Sequence, residues 1–69
     1  MHPIEKAILI VGTQADLARA LGVDPQLVHQ WKTGKRPVAL KHVSKINELT
    51  RGAVGLKSLR PDLAEFVRG

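Results

Sequence analysis

The stretch Thr13–Lys35, TQADLARALGVDPQLVHQWKTGK, decides the fold. Read at the helical period it divides into two short helices around Gly22 and Asp24-Pro25. Thr13 suits an N-cap, and Asp16, three residues on, suits the positive end of a helix. Leu17, Ala18 and Leu21 form one buried face, and the small Ala18 lets a second helix approach closely. Gly22 breaks this helix and Val23 points back to the core. Asp24 then caps a new helix, and Pro25 fits its first position because a missing N–H is harmless there. This helix is expected over 25–33, with Gly34 ending it.

At 100° per residue, Val28 and Trp31 share one side of the 25–33 helix, with Leu27 beside them. Gln26, His29, Gln30 and Thr33 fall opposite, and none of them is an acid. Alone, such a face reads as a solvated surface. The charge around it changes the reading. Residues 1–24 carry two cations against three acids, residues 25–45 five cations and no acid, and residues 46–69 four cations against three acids. The net charge of +5 is therefore concentrated in the middle third. A concentrated basic patch on a small domain is the electrostatic footprint of a polyanion binder.

Upstream, Pro3 fits a first helical turn. Ile4, Ala7, Ile8 and Val11 come next at helical spacing, with Leu9 and Ile10 widening the stripe, and Gly12 stops the helix. Downstream, Leu40, Val43, Ile46 and Leu49 mark a fourth helix, closed by Gly52. The tail holds Val54, Leu56, Leu59, Leu63, Phe66 and Val67, too apolar for a loose extension. Val54 to Leu56 reads as a short extended piece, Pro61 as a break, and Asp62 as the cap of a last helix. The expectation is an all-α, compact bundle of about five short helices in a single domain, 1–69. Those helices are expected near 3–11, 14–21, 25–33, 39–51 and 62–67.

Gln14, Ala18, Gly22, Val28 and Trp31 stand as Q-x-x-x-A-x-x-x-G-x-x-x-x-x-V-x-x-W. This pattern resembles the helix-turn-helix of phage repressors and Cro proteins, the lambda-repressor-like DNA-binding domain. Each position has a reason. Ala18 lies at the helix crossing, Gly22 takes the turn, and Val28 with Trp31 anchors the second helix. The later segment G-A-V-x-L-x-x-L-R-P-D, Gly52 to Asp62, resembles the tail of YdaS-like Cro regulators of prophages.

The resemblance implies a mechanism. The 25–33 helix enters the major groove, where Pro25, Gln26, His29, Gln30 and Thr33 meet base edges. Glutamine pairs bidentately with adenine N6 and N7, whereas Pro25 offers no hydrogen bond, a departure from the usual first recognition residue. Thr13 and Gln14 meet a phosphate through backbone N–H groups at the start of their helix. Lys32, Lys35, Arg36 and Lys41 clamp the flanking backbone. The partner is a double-stranded DNA operator, bound by a homodimer at least on DNA, with half-sites about 34 Å apart. The tail from Val54 to Val67 is the candidate dimer surface; the alternative is that its apolar residues only cover the helical core. The implied role is a Cro-type transcription regulator, a repressor, in the cytoplasm of a bacterial host at its nucleoid. The alternative is an antitoxin or other protein-interaction module of a toxin–antitoxin pair.

Other classes are disfavoured. No cysteine is present. His2, His29 and His42 lack metal-ligand spacing, so no metal or other cofactor is expected. Ser44 and Ser58 lack a nucleophile's context, no glycine-rich loop cradles a phosphate, and no enzyme or small-molecule substrate is expected. Trp31 and Phe66 are the only aromatics, too few for a single-strand stacking platform. The apolar run Ala7–Val11 is too short to span a membrane.

Overall fold

The computed structural model describes residues 2–65. Six helices occur in order: α1 (Pro3–Val11), α2 (Gln14–Leu21), α3 (Pro25–Lys32), α4 (Leu40–Leu49), α5 (Leu56–Leu59) and α6 (Pro61–Ala64). The described residues contain no strand.

Local chemistry sets most boundaries. Pro3 stands in the first turn of α1, and the His2 Nδ1 accepts the Ile4 N–H at 3.1 Å, a cap supplied by a residue seldom used for one. Ile4 and Ala7 are buried, and Ile8 and Val11 pack against the core. Leu9 and Ile10 do not widen this stripe: they are 69% and 46% exposed. They lie about 140° and 120° around the helix from Ile4, which turns them to the outer side.

The end of α2 is a Schellman turn. Gly22 takes φ +70°, its N–H reaches the Arg19 carbonyl, and the Val23 N–H reaches the Ala18 carbonyl. The half-buried Val23 packs on the core beside Ala18, the apolar contact such turns favour. The same turn closes α3: Gly34 (φ +80°) donates to the Trp31 carbonyl and Lys35 to the Gln30 carbonyl. A third ends α4, with Arg51 donating to Glu48 and Gly52 to Asn47. Here the left-handed position falls on Arg51, φ +53°, one residue before the glycine expected to close the helix.

The core joins all these pieces. Trp31 and Val28 from α3 meet Leu17 and Ala18 from α2, Ile4 and Ala7 from α1, and Val43 and Ile46 from α4. Leu40, expected on that face of α4, is 52% exposed at the start of the helix. The tail completes the core. Val54 is 1% exposed and Leu59 8% exposed, with α5 packed against α1 and α4. These residues are thus a lid on the helical core and not a free dimer surface. Leu56 opens a helical turn where an extended piece was expected. Thr50 makes the junction possible: its buried hydroxyl donates to the Ile46 carbonyl at 2.8 Å and accepts the Val54 N–H at 3.1 Å. Asp62 does not cap α6; it pairs with Arg60, the residue at that cap position. Phe66 and Val67, expected in the last helix, lie outside the described residues.

Candidate nucleic-acid interface

The two helices of the opening stretch are coupled by more than their apolar faces. The Gln14 Nε2 donates to the Pro25 carbonyl at 3.2 Å, pinning the start of α3 to the start of α2. Asp24 caps α3, its carboxylate accepting the Gln26 N–H at 2.8 Å. Val28 and Trp31 are buried at 0% and 1% exposure, so α3 is fixed along its whole inner side. Ala18, at 1% exposure, and Gly22 occupy the crossing and the turn.

That anchoring leaves a polar outer face. Pro25, Gln26, His29 and Thr33 are exposed, and Gln30 is half-buried. The Gln30 carbonyl accepts the Lys35 and Arg36 N–H groups at 2.9 and 3.3 Å, so the cationic turn folds back onto the end of α3. The Thr33 hydroxyl sits 3.4 Å from the same carbonyl.

The start of α2 differs from the expected phosphate seat in one respect. Thr13 and Asp16 form a complete capping box: the Thr13 hydroxyl accepts the Asp16 N–H at 3.1 Å, and the Asp16 carboxylate accepts the Thr13 N–H at 3.0 Å. The Thr13 N–H is therefore occupied. The Gln14 and Ala15 N–H groups have no acceptor among the described residues. Hydrogen bonding to the Thr13 hydroxyl, then to its N–H and Arg19, holds the Asp16 carboxyl below its usual range despite some desolvation.

Charge is distributed in the same sense. Among the described residues, ion pairs join only Arg19 to Asp16 and Arg60 to Asp62. Lys32, Lys35, Arg36, Lys41 and Lys45 have no carboxylate partner there. Lys32 is half-buried, and the other four are exposed on the turn and on α4. Behind them the His42 ring lies against Trp31, centroids 5.3 Å apart and planes tilted by 49°. Burial, and after it the charge of Lys41, lowers the His42 pKa from its usual 6.5. No group of three or more His, Asp or Glu side chains that could hold a metal occurs among the described residues. No helix there is long and apolar enough to cross a membrane.

Sequence reasoning missed three features of the structure around this face. His42 shows no motif, because only the fold brings it to Trp31. The N–H of Ala15 is left open because the Thr13 hydroxyl accepts the Asp16 N–H instead. Arg60 stood within a recognised R-P-D string, yet its contact to the Val38 carbonyl at 3.1 Å spans 22 residues and has no local signature.

Three comparisons agree with this architecture. A family model described as "Bacterial toxin YdaS" matches residues 4–66. A "putative transcriptional regulator YdaS" of Escherichia coli (strain K12) is 39% identical over 62 residues, covering 90% of this chain and 63% of that protein. The chain thus spans less than two thirds of that curated relative's length. Among solved structures, the "Cro protein from putative prophage element Xfaso 1" of Xylella fastidiosa strain Ann-1 superposes with a TM-score of 0.81 at 33% identity, covering 100% of this chain and 98% of that one. With that family match extending over both helices of the opening stretch and the tail lid, the chain belongs to the Cro/YdaS-like helix-turn-helix family.

Proposed function

We propose that this chain binds double-stranded DNA sequence-specifically and acts as a transcription regulator, a repressor of the Cro type. The observation that carries the reading is the outer face of α3: exposed, polar, free of acids, and adjoined by five cations without carboxylate partners. The names of its relatives, a transcriptional regulator and a prophage Cro protein, support the same reading.

In the proposed docking α3 lies in the major groove. Gln26, His29 and Gln30 read base edges, Thr33 reaches a base edge from the far end, and Pro25 offers apolar contact to a thymine methyl. The Gln14 and Ala15 N–H groups receive a phosphate oxygen. Lys32, Lys35, Arg36 and Lys41 neutralise the flanking backbone. The chain works as a single domain in the bacterial cytoplasm, as a homodimer on a near-palindromic operator, without cofactor or catalytic chemistry.

Selection of binding sites from random duplexes, with footprinting of the selected sites, tests the reading. A palindrome with two half-sites one helical turn apart is expected; recovery of unrelated sequences would overturn specific readout. The doubly substituted Lys35→Ala/Arg36→Ala protein should bind every duplex more weakly. Its salt dependence should be shallower by about 0.9 in log–log slope for each phosphate no longer neutralised.

The family description "Bacterial toxin YdaS" favours a second reading, in which the chain acts on a protein partner as half of a toxin–antitoxin pair. A pure interaction module tolerates the removal of the Lys35 and Arg36 charges; a DNA-binding regulator does not.

A further inference from the structure

The proposed phosphate clamp has a backbone problem. Lys35 and Arg36 are tied to the Gln30 carbonyl, but the chain from Pro37 to Ala39 crosses to α4 in no regular structure. Pro37 has no N–H, and the Val38 and Ala39 N–H groups have no backbone acceptor among the described residues. The Ala39 carbonyl accepts the His42 and Val43 N–H groups where the crossing enters α4; before that point it is held by the buried Val38 side chain and by the Arg60 guanidinium, whose Nη1 donates to the Val38 carbonyl at 3.1 Å. Arg60 is itself oriented. Its Nε and Nη2 donate to the two Asp62 oxygens at 3.1 and 3.0 Å, a forked pair across Pro61. Its side chain is only 19% exposed. A planar guanidinium holds the forked carboxylate and the Val38 carbonyl in one fixed geometry, which the rotating donors of an ammonium on a flexible stem do not impose.

We propose that Arg60 and Asp62 are positioning residues for DNA binding: the R-P-D clamp of the tail fixes the crossing that carries Lys35, Arg36 and Lys41 to the phosphate backbone. The inference rests on the reading that these cations meet phosphate. It explains why the tail string lies far from the groove-reading helix in sequence yet governs the geometry beside it. A preset segment binds more tightly because less ordering remains to be done on the DNA.

The sign of the Asp62→Ala effect separates positioning from charge. This substitution raises the net charge by one, and electrostatics alone would strengthen binding to DNA. Positioning predicts the opposite: affinity falls roughly three- to tenfold on matched and unmatched duplexes alike. The salt slope should decrease by about 0.9, equivalent to one phosphate. Arg60→Lys, which keeps the charge, should behave in the same way. Both are measured in the full chain, below a melting transition monitored by Trp31 fluorescence, with amide exchange read in parallel at His42 and Val43, whose N–H groups donate to the Ala39 carbonyl at the end of the crossing. Exchange there should quicken while α1 to α3 stay protected.

Tighter binding, or an unchanged slope, for folded Asp62→Ala would overturn the proposal. In a Lys35→Ala/Arg36→Ala/Lys41→Ala background the further Asp62→Ala change should leave the slope where it is; a continued fall would show the clamp acting elsewhere and overturn it as well. If the cation substitutions alone do not move the slope, the phosphate reading itself fails, a result distinct from failure of the clamp.

Discussion

Arg51 is the described non-glycine residue with positive φ, at +53°. It holds the left-handed position in the turn that ends α4, where its N–H donates to the Glu48 carbonyl at 3.1 Å. An L-residue in that conformation carries roughly 1–2 kcal/mol of strain from its Cβ, and glycine carries none. The Arg51 side chain is exposed and makes no ion pair among the described residues, so its removal sacrifices no buried contact. Against this gain stands the greater freedom of glycine in the unfolded chain, about 0.5–1 kcal/mol. The net expectation for Arg51→Gly is a stabilisation of about 0.5–1 kcal/mol. At about 2.1 cal/mol/K per residue of unfolding entropy, a chain of 69 residues converts that to a rise in Tm of ~3–7 °C. Thermal melts by circular dichroism measure it directly, and Gly52→Ala, at φ +86°, should move Tm the other way. An Arg51→Gly protein that melts at or below the parent temperature would refute the assignment of strain to this turn.

Trp31→Ala should cost ~3–5 kcal/mol by opening a cavity at the largest fully buried side chain, a large share of the ~3–10 kcal/mol that a domain of this size possesses; urea titration by circular dichroism checks it. Gly12→Ala should destabilise by more than a φ penalty alone, because at φ +137° its Cβ would stand 2.6 Å from the Asp16 carboxylate and break the capping box; Tm and the exchange rate of the Thr13 amide report this. Burial, and after it Lys41, lowers the His42 pKa, so its contribution to stability is fully present above its unfolded pKa of 6.5 and is lost as pH falls through the lower folded value. Denaturant midpoints should therefore decline between neutral and mildly acidic pH, a decline that His42→Gln should flatten. Asp16 and Asp62, both held below the usual 3.8, give a second loss only as pH falls beneath that value.

Legibility in the sequence divides along physical lines. Caps and turns within a few residues of their partners were legible: Thr13 with Asp16, Asp24 with Pro25, and Gly22 and Gly34 at left-handed positions all announce themselves locally. The inner face of α3 was equally legible, since Val28 and Trp31 share a side at the helical period. Periodicity failed where apolar residues outnumber core positions. Leu9, Ile10 and Leu40 have the chemistry of core residues, yet Leu9 and Ile10 stand on the far side of α1 from Ile4 and Leu40 is exposed at the start of α4. The tail left two readings open, a dimer surface or a cover for the core, for the converse reason. Val54 and Leu59 sit in no long periodic run, and their burial depends on α1 and α4, distant in sequence. At the candidate site, the polar set on α3 and the basic stretch were readable, because face and charge are local properties. The tether from Gln14 to Pro25 and the Arg60 contact to Val38 were not, because each joins separate elements.

Two carboxylates stand at the helix starts that the proposed docking turns towards phosphate, which calls for an account in a DNA-binding surface. Each is committed internally: Asp16 to the Thr13 N–H and Arg19, Asp24 to the Gln26 N–H. A cap of this kind contributes about 1 kcal/mol to its helix. Repulsion between an exposed carboxylate and a phosphate one Debye length away, about 8 Å in physiological salt, is largely screened. The cap therefore outweighs the repulsion so long as the carboxylate stays folded back on its own helix. Asp24→Asn separates the two effects, because asparagine still caps while the charge disappears. Helix stability should be nearly unchanged and DNA affinity should rise modestly, more at low salt than at high, as measured by titration of a labelled duplex. A fall in affinity would mean that the Asp24 charge itself orients the α3 terminus for binding, and that cap geometry alone does not explain its presence.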